Sequence, residues 1–215
     1  MTFEPLGAAY LVAITAEAMT AALAAGRRRL DWFGVAVLGC VTALGGGTVR
    51  DVLLGHHPLS WVRRPEYLLL TAAAALATIA LARAMPRLRT AFLILDALGL
   101  AVFTVIGCQV ALALGHGTTI VLVSGLVTGC AGGVLRDLLC GEVPLLLRRE
   151  LYATVSLLAG GLYLLGRALG LHETALTLAT MAAGLALRLL ALHRQWHVPT
   201  FAYGEGSAGK DDAPR

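Results

Sequence analysis

The chain has few charged residues. Only 14% of its 215 residues are charged and 58% are hydrophobic, whereas a soluble domain carries about 25% charged residues. The mean hydropathy is +0.77, which excludes an ordinary soluble domain and indicates a membrane protein. The apolar runs are long and do not alternate in short segments. This pattern favours an all-α membrane protein over a β-barrel.

The sequence also lacks the patterns of an enzyme, a cofactor site or a metal site. It has no P-loop, no dinucleotide fingerprint and no Ser-His-Asp order in polar loops. His193 and His197 stand four residues apart without a third ligand nearby, which predicts a juxtamembrane polar face. The cysteines lie in apolar stretches without metal-ligand spacing and are predicted to be small core residues. They are Cys40, Cys108, Cys130 and Cys140.

The basic character of the chain does not indicate a nucleic-acid partner. The sequence pI is about 9.1, but in membrane proteins basic residues more often mark the cytoplasmic loops. The N-terminus lacks a basic n-region and has Glu4 near its start, so we expect no removable signal peptide. The expected environment is a bacterial inner membrane, with membrane lipids as partners.

Seven hydrophobic segments are long enough to be read as membrane-spanning helices. Residues 1–195 are predicted to form one transmembrane domain, and the polar residues 196–215 a disordered cytoplasmic tail. The predicted spans are 5–24, 31–55, 66–83, 90–113, 117–141, 151–169 and 174–192.

Part of the sequence occurs twice. "GGTVRDVLLG" at 46–55 matches "GGVLRDLLCG" at 132–141, and the same offset of 86 residues pairs Pro58 with Pro144. This indicates a duplication, with repeats of about 5–83 and 90–169 and a seventh helix appended. Because each repeat has three helices, an odd number, the two must enter the membrane from opposite sides. Such inverted repeats build many transport proteins.

The distribution of basic residues predicts the orientation. With Arg50 and Arg136 set aside, three basic residues lie on the side of the N-terminus and twelve on the other side. The positive-inside rule therefore places the N-terminus outside and the C-terminus in the cytoplasm. The three are Arg63, Arg64 and Arg167; the twelve are Arg27, Arg28, Arg29, Arg83, Arg87, Arg89, Arg148, Arg149, Arg188, Arg194, Lys210 and Arg215.

Glycines in the second and fifth spans predict a kink in each helix. Glycine weakens a helix by about 1 kcal/mol relative to alanine, and a kink would free carbonyl oxygens to replace part of a cation's hydration shell. The alternative is close packing between helices through small residues, without any break. The kink candidates are Gly45, Gly46, Gly47, Gly132 and Gly133.

Charged side chains within the spans are the strongest candidates for a functional site, since an ionised group at the bilayer centre costs about 2.5–3.5 kcal/mol. Arg50 and its neighbour Asp51 diverge by about 100° on a helix, so we expect another partner for each. Arg50 is expected in the outer third and Arg136 in the inner third of the membrane. Alternatively, both arginines snorkel to the headgroups and only cap their helices.

Carboxylates elsewhere in the spans could neutralise the arginines or attract cations, although Asp96 could instead favour a helix start. If both arginines line a pore, each is expected to act as a gate that closes the narrow section or pairs against the wall. The candidate carboxylates are Asp51, Asp137, Glu17 and Asp96, and the candidate pore hydroxyls are those of Thr42, Thr128 and Ser124.

The motifs "GGGTVRDVLLGHHPLSWVRRPEYLL" and "AGGVLRDLLCGEVP", with the seven-span plan, resemble the bacterial trimeric intracellular cation (TRIC) channels, also catalogued as a glycine-transporter domain family. The resemblance implies a homotrimer with an hourglass pore in each protomer, lined mainly by the first, second, fourth and fifth helices. It also implies passage of potassium and other monovalent cations such as sodium. The Lys-Glu-Val motif of the animal channels is absent from this sequence.

Three functions remain open at this point. The first is a passive, potassium-permeable cation channel. The second is an alternating-access carrier for a small solute such as glycine, because inverted repeats with broken helices also build transporters. The third, an intramembrane scaffold, leaves the charges within the spans without a purpose.

Overall fold

The computed structural model describes residues 5–84, 88–148 and 151–194, and in these residues every regular element is a helix. The all-α class is therefore confirmed. The predicted disordered tail, 196–215, lies outside the described residues, as does His197. The helices are α1 (Pro5–Arg27), α2 (Trp32–Leu54), α3 (Ser60–Arg63), α4 (Glu66–Ala84), α5 (Leu88–Ala113), α6 (Thr118–Leu139), α7 (Leu145–Arg148), α8 (Leu151–Ala168) and α9 (Glu173–Arg194).

Six helices are long and apolar enough to cross a membrane, namely α1, α2, α5, α6, α8 and α9. The third predicted span coincides with α4, which provides a shorter apolar helix over Glu66–Ala82. The seven predicted segments thus all form helices, and most bounds agree within a few residues. A seventh crossing, by α4, stays a prediction.

Helices α2 and α6 end in the same way, at positions 86 residues apart. Gly55 and Gly141 both have left-handed backbone, with φ of 65° and 66°. The backbone N–H of His56 donates to the Asp51 carbonyl at 2.8 Å, and that of Glu142 donates to the Asp137 carbonyl at 2.8 Å. Left-handed glycine allows such a closing turn without a Cβ clash. The duplicated sequence therefore builds the same local structure twice.

The helices form two units that meet mainly along two helix pairs. Helices α1, α2 and α4 pack together, and so do α5, α6 and α8, while α9 packs against α5 and α8. The two units meet where α1 packs on α5 and where α2 packs on α6. The short helices α3 and α7 follow α2 and α6 at corresponding places. Each copy of the motif therefore lies at the end of a central helix.

The glycines let α2 and α6 approach until their backbones touch. A Cβ on Gly46 would overlap the Thr128 carbonyl oxygen, and a Cβ on Gly132 would overlap the Thr42 carbonyl oxygen. Both helices are continuous through their glycines. Gly46 and Gly132 thus serve close packing between the helices, which was the alternative to a kink. A bend of either helix axis stays a prediction.

Candidate functional site

The two motif arginines lie at the ends of α2 and α6, inside the protein. Arg50 is 4% exposed and Arg136 is fully buried. Their guanidinium groups therefore do not reach out to the surroundings, and the snorkelling alternative is wrong for the folded chain. A buried guanidinium needs charged or hydrogen-bonding partners, and these partners differ between the two copies.

Arg50 pairs with its neighbour Asp51. Its Nε and Nη2 donate to Asp51 Oδ1 at 2.9 and 2.8 Å. The expectation that Arg50 would pair with a residue other than Asp51 is wrong, because the arginine side chain is long enough to fold back over the last turn of the helix, but Asp51 does have the further partners expected for it. Ser60 Oγ donates to Asp51 Oδ2 at 3.2 Å, and His56 Nδ1 lies 3.0 Å from Oδ1. His56 in the α2–α3 loop and Ser60 at the start of α3 thus complete the set of partners around Asp51.

Arg136 also pairs with its neighbour, but it has more partners. Its Nε donates to Asp137 Oδ1 at 2.9 Å. Its Nη1 donates to Asp96 Oδ1 at 2.9 Å and to Thr20 Oγ1 at 3.1 Å. The guanidinium carbon stands 4.6 Å from the centre of the Phe92 ring, in a cation–π contact. Arg136 thereby joins α1, α5 and α6.

Glu17 and Asp96 lie beside Arg136, as two of the carboxylates predicted to neutralise a motif arginine. Glu17 Oε2 is 3.9 Å from Arg136 Nη1 and accepts a hydrogen bond from Thr20 Oγ1 at 3.1 Å. The alternative place for Asp96, at a helix start, is wrong because α5 begins at Leu88, eight residues earlier. Glu17 also rests against Gly99, where any Cβ would overlap its carboxylate.

The charge balance therefore differs between the copies. Among the residues that the structure describes, Arg50 has one carboxylate within ion-pair distance, Asp51, whereas Arg136 has three. Arg136 Nη2 and Asp96 Oδ2 have no hydrogen-bond partner among the described residues. The Arg136 cluster thus carries an excess of acidic groups in a buried place.

The space around the two arginines also differs. A cavity of about 480 Å³ opens beside Arg50, between α1, the α2–α4 connection and α5. The void beside Arg136, bounded by Leu145, Leu146 and Tyr152, has no room for a water molecule. Among the described residues, a cavity therefore adjoins Arg50, whereas the void beside Arg136 is too small for water.

The predicted pore hydroxyls lie at the helix contacts. Thr128 Oγ1 donates to the Ser124 carbonyl at 2.6 Å, and Ser124 Oγ donates to the Gly107 carbonyl at 2.7 Å. Thr42 is buried, and its Oγ1 has no hydrogen-bond partner among the described residues. Ser124 and Thr128 thus already serve the helix backbones, and Thr42 is the freest of the three.

Sequence reasoning missed Arg188. By sequence it counts among the basic residues on the C-terminal side of the membrane, but it lies inside α9, is 2% exposed, and its guanidinium carbon packs 4.6 Å from the centre of the Tyr152 ring. Its position within the predicted span 174–192 was the available signal. Without it, the count of basic residues on the C-terminal side is eleven, and the predicted orientation is unchanged. Phe92, an ordinary apolar residue in sequence, gave no signal of its contact with Arg136.

Comparison with known proteins places both repeats in one family. The family described as Glycine transporter matches residues 8–83 and again residues 93–168. The UPF0126 inner membrane protein YadS of Escherichia coli (strain K12) is 40% identical over 203 residues, which cover 91% of this chain and 95% of YadS. The UPF0126 membrane protein of Vibrio cholerae is 40% identical over 188 residues, covering 86% of this chain and 78% of its own.

Solved structures share the fold. The TRIC trimeric intracellular cation channel orthologue from Rhodobacter sphaeroides superposes with a TM-score of 0.85 at 36% identity, over 89% of this chain and 98% of that one. A chain from a structural study of conductance through TRIC cation channels superposes with a TM-score of 0.85 at 32% identity, over 96% of this chain and all of that one.

Proposed function

Because this chain belongs to the bacterial TRIC channel family, we propose that it is a channel for monovalent cations, potassium and sodium among them. The family rests on the Glycine transporter family model, which matches both repeats, and on the similar proteins described above. One observation carries the proposal: two buried arginine–aspartate pairs stand at the ends of the packed helices α2 and α6, one beside a cavity and one beside a void too small for water. Charges at these ends control whether a cation can pass.

The two arginines take different parts in this proposal. Arg50 lines the open mouth and, held by Asp51, sets the electrostatic barrier that a cation meets there. Arg136 closes the other end, where the carboxylates of Glu17, Asp96 and Asp137 hold it. Opening requires Arg136 to leave at least one of these partners, and the freed carboxylate then faces the passing cation. Thr42 is the hydroxyl best placed to contact a cation between the two ends.

Seven crossings, as an inverted repeat with α9 appended, complete the proposed architecture. We place α4 across the membrane with the other six helices, with the N-terminus outside and the C-terminus in the cytoplasm. We place the protein in the bacterial inner membrane, since its Escherichia coli relative YadS is an inner membrane protein. Labelling of the C-terminal tail from outside intact cells would contradict this orientation.

The proposed assembly is a homotrimer in contact with membrane lipids, with one pore in each protomer. Its support is the trimeric character of the related TRIC channel. Helices rich in alanine and glycine also allow close packing between subunits. A protein mass of a monomer or dimer, after correction for bound detergent, would contradict it.

A carrier for a small solute such as glycine is the second candidate. A cavity beside Arg50 without a matching cavity beside Arg136 would also suit alternating access, and the matching family is described as Glycine transporter. Recordings from purified protein in planar bilayers separate the two, since alternating access cannot give unitary current steps. We expect unitary steps in potassium chloride. Solute uptake into vesicles without current steps would instead support the carrier.

Arg50→Ala is expected to increase the unitary conductance. A fixed positive charge about 4 Å from a cation raises its energy by about 1 kcal/mol in water and by about 4 kcal/mol at an effective dielectric constant near 20. Even the smaller value corresponds to about a fivefold change in rate. The measurement is the single-channel current in low salt, and Arg167→Ala, on an exposed side chain paired with Glu173, is the control. Equal currents in wild type and Arg50→Ala would place Arg50 outside the conduction path.

A further inference from the structure

The cavity beside Arg50 has a strongly basic wall. Arg50, Arg63, Arg64 and His56 line it, and none of its described lining residues is acidic. Its volume of about 480 Å³ falls within the range of about 300–1,000 Å³ that is usual for small-molecule sites. The cavity is therefore large enough for a small anion or the polar part of a larger one.

No described acidic residue neutralises Arg63 or Arg64 in this wall. Asp51, the carboxylate next to it, pairs with Arg50, and neither Arg63 nor Arg64 forms an ion pair with a described residue. Arg64 Nη1 donates to the Tyr67 hydroxyl at 3.1 Å, which holds the guanidinium at the cavity. Like charges so close together repel, and an anion between them would remove the repulsion.

Membrane topology does not explain why Arg63 and Arg64 lie at this cavity. In the proposed orientation Arg63 and Arg64 lie on the outer side, where the positive-inside rule disfavours basic residues. A basic mouth also repels the cations that the channel is proposed to pass. Both features make sense if the mouth normally holds an anion.

We propose that this cavity binds a phosphate group. The guanidinium of arginine matches phosphate geometry with two parallel hydrogen bonds, which favours phosphate over chloride. Leu6, Ile106 and Val110 form an apolar part of the wall, which suits the organic portion of a phosphate ester. The source of the phosphate group is either inorganic phosphate or the headgroup of an anionic phospholipid.

Bound phosphate also acts on the current. Its negative charge offsets the basic wall, so cations enter the mouth more readily. Binding is independent of the channel activity, and only this effect on current rests on the proposed function. A binding measurement that needs no current therefore tests the site separately from the channel.

The test measures the melting temperature of the purified full chain in neutral detergent. Potassium phosphate is compared with potassium chloride at equal ionic strength. At ten times the dissociation constant, phosphate is expected to raise the melting temperature by about 3–6 °C. The variant Arg63→Gln/Arg64→Gln changes two exposed side chains and is expected to lose this rise. Arg167→Gln, on an exposed side chain of α8, is the matched control and is expected to keep it.

A second arm identifies the source. Nanodiscs of phosphatidylglycerol are compared with nanodiscs of phosphatidylcholine, again with the double variant and the Arg167→Gln control. A rise with inorganic phosphate that the double variant loses supports a free-phosphate site. A rise with phosphatidylglycerol alone, lost in the same variant, supports a lipid headgroup. The proposal is overturned if the melting temperature does not rise in either arm, or if it rises equally in the wild type and the double variant.

Discussion

Arg136→Ala is expected to lower the melting temperature of the purified protein by about 10 °C. The side chain is fully buried and stands within ion-pair distance of Glu17, Asp96 and Asp137. Removing one partner of a buried ion pair costs about 3–5 kcal/mol, because the other charge stays buried without compensation. Each kcal/mol corresponds to about 2–4 °C in a chain of this size.

Two further variants show whether charge is the cause. Arg50→Ala should lower the melting temperature by less than half as much, because Asp51 keeps Ser60 and His56 as partners and the adjoining cavity can admit water. Adding Asp96→Asn to Arg136→Ala should recover part of the lost melting temperature, since it removes one of the carboxylate charges left unpaired by the loss of Arg136. A wild-type melting temperature together with a higher open probability would instead make Arg136 a gate without a structural role.

Among alanine variants of the motif glycines, Gly46→Ala and Gly132→Ala are expected to lose the most folding stability. An added methyl group would overlap the carbonyl oxygen of Thr128 in the first variant and of Thr42 in the second. Backbone cannot rotate away as a side chain does, so α2 and α6 must separate. Over-packing costs about 1–3 kcal/mol, and we expect the upper end. The measurements are melting temperature and the yield of folded protein in detergent.

The neighbouring glycines provide matched controls within the same two helices. A Cβ on Gly47 would lie 3.6 Å from Arg50 Nη2, and one on Gly133 would lie 3.4 Å from the Tyr152 hydroxyl. Gly47→Ala and Gly133→Ala should therefore be tolerated, and alanine favours a helix by about 1 kcal/mol over glycine. An equal fall in melting temperature in all four variants would show that the helices need glycine for backbone flexibility and not for the contact between α2 and α6.

Much of the fold was predictable from the sequence because the membrane restricts the possible structures. Long apolar runs must be helices when lipid cannot satisfy the backbone, and the segment predicted at 31–55 is the helix Trp32–Leu54. The duplication was predictable from ten-residue matches, and it reappears as identical turns after Asp51 and Asp137. The family followed from the same motif.

The partners of the arginines were less predictable. Angles on an ideal helix describe where Cβ atoms point, but arginine reaches several bonds further, and so Arg50 returns to Asp51. The motif is also nearly the same in both copies, while the surroundings are not. Phe92 and Glu17 come from helices outside the motif, and their approach to Arg136 depends on how α1 and α5 pack. No local pattern in the sequence encodes the distance from Phe92 or Glu17 to Arg136.

The glycine contact between α2 and α6 has a mechanical consequence. The two backbones touch at Gly46 and Gly132, where neither residue has a side chain that could rotate away, so the helices resist sliding past each other at this contact. Arg50 and Arg136 each follow four residues later, about 6 Å along the axis at 1.5 Å per residue. In the proposed inverted arrangement, the two arginines lie at equal distances from the glycine contact and on opposite sides of it. A tilt that spreads one end of the pair must therefore shift the other end at the same moment.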